Sequence, residues 1–129
     1  MTTYGVIVFH NAKTDFYTTA NPETADLVSD MYGSMALMVE ADSPGVAADA
    51  AYTIGNRMGA DKDGKTWSPS VRSVSVGDVI FVRASGSNTF DGFAVAGIGF
   101  EPYEMDWSAI RWEPGPEAVT AYEMGADDA

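Results

Sequence analysis

Trp67 sits among Arg57, Lys62, Lys65 and Arg72, four of the seven basic residues in the chain. An indole flanked by cations can stack on a nucleobase or clasp an acidic peptide. The competing use of Trp67 is as a hydrophobic anchor tucked under its own loop, since tryptophan is mostly buried in folded proteins. These five are the candidate binding residues. The single histidine, His10, falls in the apolar run Tyr4–His10, and the chain has no Gly-x-Ser-x-Gly elbow. His10 therefore reads as structural, and a serine nucleophile has no evident base. Asp61-Lys62-Asp63-Gly64 opens like a calcium loop, but Asn, Asp and Glu are absent from 66 to 77, so the closing ligands are missing. Gly97-Ile98-Gly99 has two glycines at dinucleotide-fold spacing. It lacks the third, and Pro102 stands where a helix would have to begin. A bulge or close packing accounts better for those glycines. With no cysteine, disulfides, thiolate chemistry and cysteine-ligated zinc are excluded. No catalytic residue, cofactor or metal is assigned from the sequence. Paired carboxylates are defined by a gap in space, so an enzyme using acids alone stays open at this point.

The elements that must position these residues follow from pattern. Tyr4–His10 is β-branched, aromatic and nearly continuously apolar, which predicts a central strand covered on both faces. Asn21-Pro22-Glu23-Thr24 has the residues of a helix start, and Leu27, Val28 and Met31 follow at helical spacing up to Gly33. Ser34–Ala41 predicts a second strand. Ser43-Pro44 repeats the capping pattern, and Val46, Ala47, Ala50, Ala51, Ile54 and Met58 predict the buried face of a helix stopping at Gly59. Residues 60–70 read as loop. Strands at Val79–Val82 and Phe90–Ile98, joined by Ser85-Gly86-Ser87-Asn88, predict a hairpin over 78–100. Beyond Pro102 a short element at Trp107–Trp112, a short helix at 116–122 and a frayed tail at 125–129 are expected. The expected fold is α+β: a small mixed or antiparallel sheet, two main helices on one face, and a C-terminal hairpin, all in one domain.

Composition narrows the function classes. The chain has 129 residues, 46% of them apolar, which suits one folded core. Nineteen acidic residues against seven basic ones leave a net charge of −12. That disfavours nucleic acid as partner, because affinity for a phosphate backbone comes largely from lysine and arginine. It suits solubility or a basic protein partner, and DNA mimicry is the sharp form of the latter. Between Glu101 and Ala129 eight acids face Arg111 alone. No stretch is long and apolar enough to predict a membrane span, and the N-terminus lacks the pattern of a secretory signal, so a cytoplasmic protein is expected. Oligomeric state is not readable.

At Arg72-Ser73-Val74-Ser75-Val76-Gly77-Asp78-Val79 the chain resembles a group of small proteins of actinobacterial phages and plasmids. They share an Asn-Arg helix end, a variable loop, an Arg-Ser-x-Ser-Val-Gly-Asp-Val core, and a closing strand ending in Gly-Phe or Gly-Trp. The corresponding elements here are Asn56-Arg57, 60–70, Arg72–Val79 and Gly99-Phe100, covering the middle third to half of the chain. The pattern is also similar to the YodL-like domain of mobile elements. The resemblance implies an origin in a mobile element more than an activity. Read physically, Gly77-Asp78 makes a turn in which the Asp78 carboxylate can accept backbone amides, and Arg72 is expected to pair with an acid of the C-terminal segment. The functional expectation is a non-enzymatic phage or mobile-element protein, acting in the host cytoplasm by binding a basic protein. The alternative is a module that binds single-stranded nucleic acid or a nucleotide through the Arg57–Arg72 loop.

Overall fold

The computed structural model describes residues 1–12, 19–20, 26–29, 36–104 and 111–112. β1 (Thr2–Asn11) is the spine. Along one edge it pairs with β4 (Val79–Ala84), and along the other with β3 (Ala36–Ala41) over its first half and β2 (Leu27–Ser29) at its end. β5 (Asp91–Val95) continues the sheet from β4, and β6 (Phe100–Pro102) follows β5. These pairings are antiparallel, while β7 (Arg111–Trp112) pairs parallel with β2. The helix α1 (Pro44–Gly55) lies across one face.

Alternation along β1 supplies both faces. Tyr4, Val6 and Val8 point under α1 with Leu37, Val39, Ile80, Val82 and the helix residues Ala47, Ala48, Ala51 and Ile54. Phe9 points the other way into a second cluster with Leu27, Val79, Phe81, Ala94 and Tyr103. The side-chain period of two on a strand makes this division. The near-continuous apolarity of Tyr4–Phe9 thus has its physical cause in a strand covered on both sides.

The expectation of two main helices is overturned: the described residues contain one helix and are dominated by the sheet. Leu27 and Val28, read at helical spacing, are strand, with Leu27 opposite Asn11 and Val28 opposite His10. β1 runs past the end of β3, and its last residues need a partner for their backbone groups. Satisfying that non-local edge outweighs a local helical pattern of two or three residues. The capping residues 21–24, with Met31 and Gly33, lie outside the described residues. So do the side chains expected at 107–112, the helix expected at 116–122 and the tail at 125–129.

α1 begins as its sequence predicts, with the Ser43 hydroxyl accepting the Val46 amide and Pro44 in the first turn. It ends four residues before Gly59. Asn56 caps it by donating its side-chain amide to the Tyr52 and Val74 carbonyls, and Arg57 turns the chain away at a left-handed φ of 65°. The reason lies at Gly55, where any Cβ would strike the Val74 side chain, so the 72–77 segment crosses there and blocks continuation. Met58, expected on the buried face, consequently lies beyond the helix and is exposed; Val46, in the first turn, is exposed as well.

Candidate functional site

The Arg57–Arg72 segment folds back on the protein. Trp67 is 4% exposed and packs in the α1-side core, and its indole N–H donates to the Arg72 carbonyl at 3.0 Å. The His10 ring lies beside it, tilted by 59° with ring centroids 5.9 Å apart. His10 Nε2 lies 3.1 Å from the same carbonyl oxygen, which requires the Nε2–H form as donor.

Each candidate cation has an internal task. Arg57 donates to the Val71 and Ser68 carbonyls and to the Ser73 hydroxyl, so it staples the 68–73 segment to the helix end. Lys65 Nζ donates to the Ala36 carbonyl at 2.7 Å. Lys62 meets Asp63 at 3.3 Å in an exposed pair. Arg72 forms a bidentate pair with Asp78, both N–O distances 2.7 Å; most of the C-terminal acids expected as its partner lie outside the described residues. The Asp78 carboxylate is fully buried and also accepts the amides of Asn11 and Ser75. The Arg-Ser-x-Ser-Val-Gly-Asp-Val core is therefore a clasp: one buried carboxylate ties the 72–78 turn to the end of β1. Ser75 contributes its amide, while its buried hydroxyl has no partner among the described residues.

The segment that resembled a calcium loop has a different use. Asp61 Oδ1 accepts the amides of Asp63 and Lys65, and Oδ2 accepts the Met38 amide of β3. The Lys62 amide donates to the Met38 carbonyl. The loop thereby occupies backbone groups on the outer edge of β3, which would otherwise invite another strand. Burial works to raise the Asp61 pKa. The amides of Met38, Lys65 and Asp63, with the Lys65 ammonium, outweigh it and hold the carboxyl below its usual 3.8.

Burial lowers the pKa of His10, assisted by the Arg72 guanidinium and opposed by Asp78 and by the hydrogen bond to the Arg72 carbonyl. A folded-state pKa below the unfolded 6.5 means that the unfolded chain takes up a proton first as pH falls. The His10 contribution to stability is thus intact above about pH 6.5 and is lost progressively below it, until the folded protein also protonates. Urea midpoints measured from pH 8 to 5 are expected to fall less steeply for His10→Gln than for the parent. Parallel slopes would refute this assignment.

No protein-family model, curated protein or solved structure matches the chain. The site must be argued from the geometry. Among the described residues no group of three His, Cys, Asp or Glu side chains converges as a metal site, and no helix is long and apolar enough to cross a membrane.

Among the described residues, exposed carboxylates and an aromatic groove are open to a partner. Glu40, Asp42, Asp49, Asp91, Glu101 and Glu104 are exposed and make no ion pair among the described residues. An open groove of about 570 Å³ lies at the β5–β6 edge, lined by Phe90, Asp91, Gly92, Phe93, Phe100, Pro102, Tyr103 and Glu104. The sequence predicts a strand through Ile98. In fact Gly97-Ile98 is the tip of the β5–β6 hairpin, with the Ala96 amide bonded to the Gly99 carbonyl and Gly99 at a φ of 67°. That turn brings 100–104 back beside 91–95. A turn located at Gly97-Ile98 is the signal that would have revealed the groove from sequence.

Proposed function

We propose that the chain is a non-enzymatic accessory protein of a phage or mobile element that binds a basic protein partner in the host cytoplasm. One observation carries this reading. Arg57, Lys62, Lys65 and Arg72 are each bonded within the protein, while the exposed acids named above make no ion pair among the described residues. Arg83 lies over the Phe90 ring at 5.3 Å. The Arg72–Asp78 and Lys62–Asp63 pairs each cancel one charge of either sign, so the acidic excess of the chain stays available to a partner, which favours fast, salt-sensitive association with a positive surface. The assignment to a mobile element is supported by the Arg72–Val79 resemblance, and the choice of a non-enzymatic role by the burial of His10, whose Nε2 is taken up by the Arg72 carbonyl. DNA mimicry is the special case in which the partner is a DNA-binding protein and duplex DNA competes for it. The nucleic-acid alternative draws no support from the geometry, because the indole it needs is buried and the cations around it hold the loop together.

The test is capture of basic and DNA-binding proteins on the immobilised protein across about 0.01 to 1 M salt, where the screening length drops from about 30 Å to about 3 Å. At least about tenfold weaker capture at the high-salt end is expected, with no retention of the protein on phosphocellulose. Retention on phosphocellulose, or the absence of any salt-sensitive partner, would overturn the reading.

A further inference from the structure

The β5–β6 groove has a specific charge pattern. Val95 pairs with Phe100 and Phe93 with Pro102, so opposite residues have numbers that add to a constant. The Tyr103 amide bonds the Gly92 carbonyl and carries that register one step further. The next step sets Asp91 opposite Glu104, and both line the groove with Phe93, Phe100 and Pro102. Alternation puts these five on one face of the hairpin. Two carboxylates directly opposite each other on neighbouring strands repel and destabilise the pair. Neither has a cation among the described residues. The aromatic floor beside them is rigid: Phe93 and Phe100 meet edge to face at 6.1 Å, and Tyr52 of α1 backs Phe100 at 6.2 Å.

We infer that this groove is the subsite for an arginine side chain of the basic partner, with the guanidinium against the Phe93–Phe100 rings and its N–H groups donated to Asp91 and Glu104. The inference rests on the proposed binding of a basic protein and states where and how that partner is gripped. Charge complementarity selects a cation. The aromatic floor selects guanidinium over ammonium, because its planar, weakly hydrated group can stack on a ring while its in-plane N–H groups reach a carboxylate. The protein already makes one such contact, Arg83 on Phe90, in the same hairpin region. Filling the groove with a cation would relieve the Asp91–Glu104 repulsion, so binding gains what the empty hairpin gives up.

Octa-arginine and octa-lysine peptides are the probes, titrated into the full chain and followed by amide NMR shifts. The expected result is that octa-arginine shifts Asp91–Phe93 and Phe100–Glu104 most and binds several-fold more tightly than octa-lysine. Asp91→Asn combined with Glu104→Gln should weaken octa-arginine by about tenfold. Asp42→Asn with Asp49→Asn, an equal change in charge on the β3–α1 side, should weaken it less than about twofold. Both pairs exchange exposed groups for isosteres, and unchanged urea midpoints would show that the fold is kept. Phe93→Leu should erase the preference for arginine. Equal weakening by the two acid pairs would overturn the groove assignment while leaving the acidic-surface reading intact. Failure of both peptides to bind would overturn that reading itself. Concentration-dependent dimerisation that broadens the same amides without peptide would assign the groove to a second copy of the chain and also overturn the inference.

Discussion

Asp78→Ala is expected to cost about 3–5 kcal/mol of unfolding free energy, the range seen when one member of a buried ion pair is removed. The reason is visible in the partners. The carboxylate takes both N–H groups of the Arg72 fork at 2.7 Å together with the Asn11 and Ser75 amides, all from a fully buried position. Without it, a half-buried guanidinium and two amides lose their acceptor together. A typical small domain has about 5–15 kcal/mol in hand, so the loss would remove a large share of that margin. Asp78→Asn keeps one carbonyl acceptor and should fall between Asp78→Ala and the parent. Urea denaturation measures both. A loss below about 1 kcal/mol for Asp78→Ala would mean that the clasp is dispensable.

Trp67→Ala is expected to cost a comparable amount, about 3–5 kcal/mol, as for other large aromatic residues truncated in a core. Two losses combine: the ring leaves a cavity among the α1-side residues, and the Arg72 carbonyl loses the indole donor. Trp67→Phe refills part of the volume without the N–H and should cost less. The same residue separates the two functional readings. In a Trp107→Phe, Trp112→Phe background, Trp67 emission should be blue-shifted, shielded from acrylamide and unchanged by oligonucleotide. Quenching by oligonucleotide would restore the stacking role and count against the proposed function.

Much of the local structure was legible in the residues themselves. Ser43-Pro44 marks the start of α1, Gly77-Asp78 marks a turn, and unbroken apolarity marks β1, because capping, turn geometry and two-sided burial each act through a few neighbouring residues. The errors share a cause. Leu27 and Val28 have helical spacing, but the exposed end of β1 recruits them as strand. α1 has a sequence that could run to Gly59, but the crossing of Val74 at Gly55 stops it earlier. Nor does the sequence show that Arg72 pairs with Asp78, six residues on in the same motif, because the turn between them sets that contact.

The loop from Arg57 to Arg72 shows most sharply what each level decides. Its sequence establishes that cations surround a tryptophan within an acidic protein. Whether those cations face outward is a question of unpaired carbonyls and buried carboxylates at Ala36, Ser68, Val71 and Asp78, which are brought there by other parts of the chain. The sequence alone determined the charge imbalance and the kinds of group available. Only tertiary structure decided that Arg57, Lys65 and Arg72 are bonded within the protein, that Glu40, Asp42 and Asp49 stay exposed while Asp78 is buried, and that Asp91 and Glu104 flank one aromatic groove. Charge is a sum over residues and needs no fold, whereas pairing depends on which residues the backbone brings within a few ångströms.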